Sequence, residues 1–133
     1  MSATLESRTL SVRIERPYDE VYDFVSQPAN FAKWAAGLGN GLREDGDSWL
    51  AESPVGPIRI RFSPRNAYGV LDHRNTLPNG EQVYIPMRAI ANRDGAEILF
   101  TLFREDDWSD ERVEADAALV QRDLQTLKAL LEG

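Results

Sequence analysis

The chain has 133 residues, 42% apolar and 28% charged, the proportions of an ordinary globular domain and a length suited to one domain rather than two. It contains no cysteine and one histidine, His73, which excludes disulfides, thiolate metal sites, a cysteine nucleophile and any site built on two imidazoles. Fifteen Lys and Arg against twenty-two Asp and Glu leave a net charge of −7, which repels phosphate backbones and anionic leaflets unless the bases cluster; along the sequence they do not, so no nucleic-acid partner is expected.

Residues 1–6 include Glu6 and lack the basic and apolar regions of a signal peptide, and no apolar run approaches the ~18 residues of a membrane span. A cytoplasmic location is the expectation. Alternating polar and apolar residues over 9–15 predict a half-buried strand. Pro17 then opens a helix with Val21, Phe24 and Val25 at helical spacing, and Asp19 and Glu20 suit its positive end. Gln27-Pro28 breaks that helix and starts a second, from Pro28 to about Ala36, which carries Phe31 and Trp34. The glycine-rich stretch 37–41 follows a helix and leads toward a strand, the reverse of the order a phosphate-binding loop requires, and reads as a linker.

From 37 to 104 the turn signals are those of a meander, with strands predicted over 48–52, 58–62, 68–76, 82–91 and 96–104. Asn79-Gly80 and Asp94-Gly95, read as two-residue hairpin turns, set Thr76 opposite Val83, Asp72 opposite Met87, Met87 opposite Leu102 and Ala89 opposite Phe100. Pro86 cannot donate to a ladder, so a bulge there would slip part of this register. The last element is a helix from Ser109 to Glu132, with Ser109 as cap and Val113, Ala117, Val120, Leu124, Leu127 and Leu131 as its apolar stripe. The acids at its start lack the spacing of a calcium loop, and no metal is predicted. The order of elements defines an α+β fold: a bent antiparallel sheet of six or seven strands gripping a long C-terminal helix, with two short helices after the first strand.

The runs 12–25 (VRIERPYDEVYDFV) and 28–34, Gly69-Val70-Leu71-Asp72-His73, and 123–128 near the end resemble the START-like superfamily. This superfamily is also called Bet v 1-like, SRPBCC or polyketide cyclase/dehydrase-like. The resemblance covers nearly the whole chain and implies a helix-grip fold with a cavity between sheet and long helix. It is specific for fold and poor for activity, because the superfamily includes polyketide cyclases, lipid and quinone carriers, hormone-binding proteins and chaperone-ATPase activators. No cofactor is expected.

On the register above, the inner face of the sheet is apolar except for Asp72 and Arg74, while His73, Asn75, Tyr84 and Arg88 point outward. A carboxylate in an apolar wall requires a partner, so Asp72 and Arg74 are either polar anchors for a ligand or a structural pair. Adjacent strand residues face opposite ways, which puts His73 outside the cavity if Asp72 is inside; no nucleophile elbow accompanies it. Trp34, Trp49 and Phe31 line a pocket or plug the core. On the helix, Ala115, Ala117 and Ala118 leave volume where Leu124, Leu127 and Leu131 fill it, so the cavity is expected beneath the first half. The expected site is walled by Phe62, Met87, Phe100, Leu102 and Trp34 or Trp49, with Ala117 opposite and Asp72 and Arg74 as polar contacts. The leading function is binding of an apolar small molecule: lipid, polyketide, isoprenoid or aromatic metabolite. Two other classes are a cyclase or dehydratase in which Asp72 or Arg74 moves a proton, and a protein-interaction module using the outer face around Leu99, Phe103 and Tyr84.

Overall fold

The computed structural model describes residues 2–35 and 42–133. The stretch 37–41, read above as a linker, lies outside the described residues. Strand β1 (Ser7–Ile14) turns its alternating Leu10, Val12 and Ile14 inward. Helix α1 (Tyr18–Val25) starts after Pro17, whose extended backbone leads into the helix, and buries Val21 and Tyr22. A 3₁₀ turn (Pro28–Asn30) leads into α2 (Phe31–Trp34).

The strands that follow are β2 (Leu42–Asp45), β3 (Ser48–Ser53), β4 (Gly56–Phe62), β5 (His73–Thr76), β6 (Gln82–Ile85), β7 (Met87–Asn92) and β8 (Gly95–Phe103). All their pairings are antiparallel. They form a three-stranded sheet, ordered β1-β8-β7, and a five-stranded sheet, ordered β2-β3-β4-β5-β6. Helix α3 (Asp110–Glu132) completes the chain. Among the described residues there are thus eight strands in two sheets, where one bent sheet of six or seven was expected, and the α+β helix grip is as expected.

Pro86 makes the corner between the two sheets. The strand expected over 82–91 divides there: β6 pairs with β5, and β7 pairs with β8. A proline has no N–H for the ladder, so the chain changes sheets where continuing one would leave a carbonyl without its donor. Residues 69–71 brace the corner by pairing with β7, through Ala89 N–H to Gly69 O (2.9 Å) and Leu71 N–H to Met87 O (2.9 Å). Gly69 has φ +71°, and a Cβ on it would lie 2.1 Å from the Ala89 carbonyl oxygen, so no other residue fits.

Two register expectations are corrected. Thr76 pairs with Gln82 and Asn75 with Val83, one residue from the expected alignment. The turn is three residues long: Gly80 N–H donates to Leu77 O (2.9 Å), Leu77 N–H donates to Glu81 O (2.8 Å), and Gly80 has φ +90°. A two-residue Asn79-Gly80 turn would make Pro78 the closing hydrogen-bonded pair with Glu81, and Pro78 has no hydrogen to give. In the other hairpin Met87 pairs with Phe100 and Ala89 with Ile98, because Arg93-Asp94 forms the turn, with Arg93 at φ +51°. Gly95 instead begins β8, paired with Asn92, and a Cβ on it would lie 2.9 Å from Ile14 O.

The main core joins both sheets to all three helices through Val12, Ile14, Val21, Trp34, Met87, Ile98, Leu124 and Leu127, among others. Ser109 caps α3 by accepting from Arg112 N–H (3.1 Å). The far end of α3 is tied to β1 by Lys128 Nζ donating to Arg13 O (2.8 Å) and Glu132 accepting from Glu15 N–H (2.8 Å). These contacts hold Glu132 below the usual carboxyl pKa, chiefly through the Glu15 N–H and then Lys128, against the opposing effect of desolvation.

Candidate functional site

A cavity of about 140 Å³ lies between the five-stranded sheet, α2 and the middle of α3. Its walls are Phe31, Trp34 and Ala35; Ile58 and Ile60 of β4; His73 and Asn75 of β5; Ile85; Phe100 of β8; and Val120 and Asp123 of α3. A smaller void of about 20 Å³ shares Phe31, Trp34 and His73 with it and is bounded further by Phe62, Leu71 and Met87. That void is about the size of one water molecule.

His73 is the centre of the arrangement. The one-residue shift at the β5–β6 turn sets His73 opposite Ile85 and Phe62, and Asn75 opposite Val83 and Ile60, so both side chains turn inward. His73 is 3% exposed. Phe31 (5.4 Å between centroids), Phe62 (5.7 Å) and Phe100 (6.3 Å) surround its ring, and Phe31 also packs on Trp34 (5.0 Å). Its Nδ1 lies 3.2 Å from the Leu71 carbonyl. A carbonyl only accepts, so Nδ1 carries the hydrogen and Nε2 presents a lone pair. Burial pushes the imidazole pKa down to about 4, against the opposing pull of the Leu71 carbonyl and Asp72, so the ring is neutral at neutral pH.

Three of the buried polar atoms without a hydrogen-bond partner belong to residues of this cavity: Trp34 Nε1, His73 Nε2 and Asn75 Oδ1. Such atoms are uncommon in folded proteins, and three on one cavity is a concentration that packing alone does not require.

The expected polar contacts lie on the other face. Asp72 accepts from Tyr84 Oη (2.8 Å) and from Met87 N–H (2.8 Å), and pairs with Arg88. It thereby satisfies the backbone hydrogen of the residue that follows Pro86, at the point where the strand leaves one sheet for the other. The bond to Asp72 holds the Tyr84 hydroxyl above its usual pKa. Arg74 is exposed, with its guanidinium 4.6 Å from the centre of the Tyr84 ring. The inward placement expected for Asp72 and Arg74, and the outward one for His73 and Asn75, are therefore corrected together: a single residue added to the turn reverses the face of every side chain on β5.

Of the other expected wall residues, Trp34 and Phe100 line the cavity, while Phe62 and Met87 line the smaller void. Trp49 is half-buried in register with Ile60 but outside both linings. Leu102 and Ala117 lie elsewhere, packed with Trp108 in a closed cluster beneath the first turns of α3. Ala115 and Ala118 face solvent. The cavity thus sits beneath the middle of α3, since Trp108 fills the space that the alanines would have left. Trp108 precedes the helix and escaped the helical pattern that sequence reading relies on. For His73 a signal did exist, in Pro78 before Asn79-Gly80.

Among the described residues no three metal-ligating side chains come together, and no helix is long and apolar enough to cross a membrane. No family model matches the sequence, and no curated protein matches it. Solved structures do. DynU16, a protein in the dynemicin biosynthetic locus, superposes with a TM-score of 0.69 at 17% identity over 95% of this chain and 47% of its own, so the chain spans about half the length of DynU16. The Aha1 dimer structure from Colwellia psychrerythraea matches with a TM-score of 0.71 at 13% identity, over 96% of this chain and 97% of that one. Ara h 8.0201 matches with a TM-score of 0.65 at 10% identity, over 96% and 97%. The chain has the START-like, Bet v 1-like helix-grip fold. At these identities the likeness speaks for the fold alone, and the fold carries many functions.

Proposed function

We propose that the chain binds an apolar small molecule in the cavity beneath the middle of α3. The observation that carries this reading is an unfilled space of about 140 Å³ with aromatic and aliphatic walls, in a chain that packs closely elsewhere under the same helix. Concave apolar sites with a few polar groups are how proteins bind and orient small ligands. An apolar cavity of about 150 Å³ accepts benzene, so the enclosed part matches one ring or an equally short aliphatic segment. Of the ligand classes expected from sequence, an aromatic metabolite or the ring end of a polyketide suits that volume; a whole lipid would extend beyond it. Binding needs no proton transfer, and the pair assigned to a cyclase or dehydratase, Asp72 and Arg74, is committed to Tyr84, Arg88 and the backbone on the outer face. The interaction-module reading called for a closed core and an apolar outer patch, yet Leu99 and Phe103 are half-buried and Tyr84 is bonded to Asp72.

Titration with toluene, followed by amide chemical shifts, tests the proposal. Saturable shifts at Ile60, Phe100 and Val120 are expected, and their loss in Val120→Phe, whose larger side chain fills the space. If neither toluene nor phenol produces saturable shifts, the chain does not bind apolar rings there.

A further inference from the structure

Building on that reading, we infer that the cavity selects a neutral ring bearing a hydroxyl group over the bare hydrocarbon, the carboxylate and the ammonium analogues. The inference comes from the hydrogen-bonding character of the wall. Trp34 Nε1, His73 Nε2 and Asn75 Oδ1 are buried without partners, and all three residues line the cavity. An indole nitrogen only donates and an amide oxygen only accepts. The Leu71 carbonyl holds the hydrogen of His73 on Nδ1, so Nε2 accepts as well.

Residues of the wall therefore carry one unpartnered donor and two unpartnered acceptors, and Asp123 lines its α3 side. A hydroxyl both donates and accepts, so it meets an acceptor and the indole donor at once, which a methyl, a carboxylate or an ammonium does not. A carboxylate would bring only lone pairs toward two acceptors and an acid. An ammonium would bring only hydrogens, leave the Trp34 donor unmet, and bury a full charge among Phe31, Phe100 and Trp34, although Asp123 would attract it. Trp108 Nε1, likewise buried without a partner, belongs to the closed cluster under the start of α3, away from the cavity, and plays no part.

Wild-type protein titrated at neutral pH with toluene, phenol, benzoate and benzylamine tests the inference, with affinities read from the same amide shifts. Phenol is expected to bind about tenfold more tightly than toluene, the worth of one well-made hydrogen bond, and benzoate and benzylamine more weakly than phenol. Equal affinities for toluene and phenol would overturn the hydroxyl preference while leaving apolar binding intact. Benzylamine binding as tightly as phenol would overturn it in favour of a cation site at Asp123. Failure of all four ligands would defeat the underlying proposal instead. Asn75→Leu and His73→Phe should each lower the phenol-to-toluene affinity ratio, which is read within each variant and so does not depend on its toluene affinity. An unchanged ratio in both overturns the inference, and if His73→Phe does not fold, Asn75→Leu decides.

Discussion

Beneath its first turns α3 rests on Leu102, Trp108 and Ala117, which close against one another with Leu10 and Val113 around them. Beneath its middle the same helix borders a cavity of about 140 Å³, and immediately beyond that Leu124 and Leu127 are fully buried again. The helix is continuous through all three regions, and its apolar stripe does not change character enough to predict the gap. What differs is the opposing surface. Under the first turns a tryptophan from the preceding loop folds back into the space, with Arg112 lying 4.1 Å from its ring centre and Arg104 donating to its carbonyl (2.9 Å). Under the middle, the opposing residues are a ring of aromatics around a neutral histidine, and among the described residues no side chain fills the space. A cavity in this fold is set by what the sheets and loops deliver to the helix, more than by the size of the helix residues.

Four experiments sharpen or break that contrast, in decreasing order of expected effect. Trp108→Ala should cost about 3–5 kcal/mol in urea denaturation, because it empties the closed region. A loss below about 1 kcal/mol would mean that this cluster is not what seats the start of α3.

Next comes the histidine at the centre of the open region. Its folded pKa, about 4, is below the ordinary value of 6.5, so between those values the unfolded chain binds a proton that the folded chain refuses. Stability from this group is complete above pH 6.5 and declines as pH falls toward 4, by roughly 3 kcal/mol in all. Two acids held below their usual range, Glu114 by Arg8 and Glu132 by the Glu15 N–H and Lys128, contribute only at lower pH. Denaturation profiles of the wild type and His73→Phe should therefore diverge between pH 6.5 and 4. Parallel profiles would contradict a buried neutral imidazole.

The third and fourth experiments form a pair. Ala117→Leu overpacks the closed cluster and should destabilise by about 1–3 kcal/mol while leaving toluene affinity unchanged. Val120→Phe enters open volume, and should change stability by less than about 1 kcal/mol while abolishing toluene binding. Reversal of the two results would relocate the cavity to the first half of the helix.

Much of the architecture was legible in the residues. The stripe Val113, Ala117, Val120, Leu124, Leu127 and Leu131 faces the sheets in the structure, with each member buried or half-buried. The alternation of β1, β4, β7 and β8 sorted their apolar side chains to the correct face. In the β7–β8 hairpin the turn moved by one residue, which displaced the pairing by two and so left the facing of Met87 and Ala89 unaltered. In the β5–β6 hairpin one extra turn residue displaced the pairing by one and exchanged His73 and Asn75 for Asp72 and Arg74.

The amino-acid sequence by itself determined the order of elements, the inward apolar faces of the long strands and the helix that the sheets grip, because each follows from periodicity repeated over many residues. Strand β5, with only His73–Thr76, carries no such repeat, since its four residues are all polar and neither face is marked by hydrophobicity. Its facing was decided by the adjoining three-residue turn beginning at Pro78 and by contacts from elsewhere in the chain: the Asp72 carboxylate held by Tyr84, Arg88 and the Met87 N–H, and the aromatic rings that close around His73. A short polar strand takes its orientation from its neighbours, and here that orientation placed the imidazole, rather than the carboxylate, on the wall of the cavity.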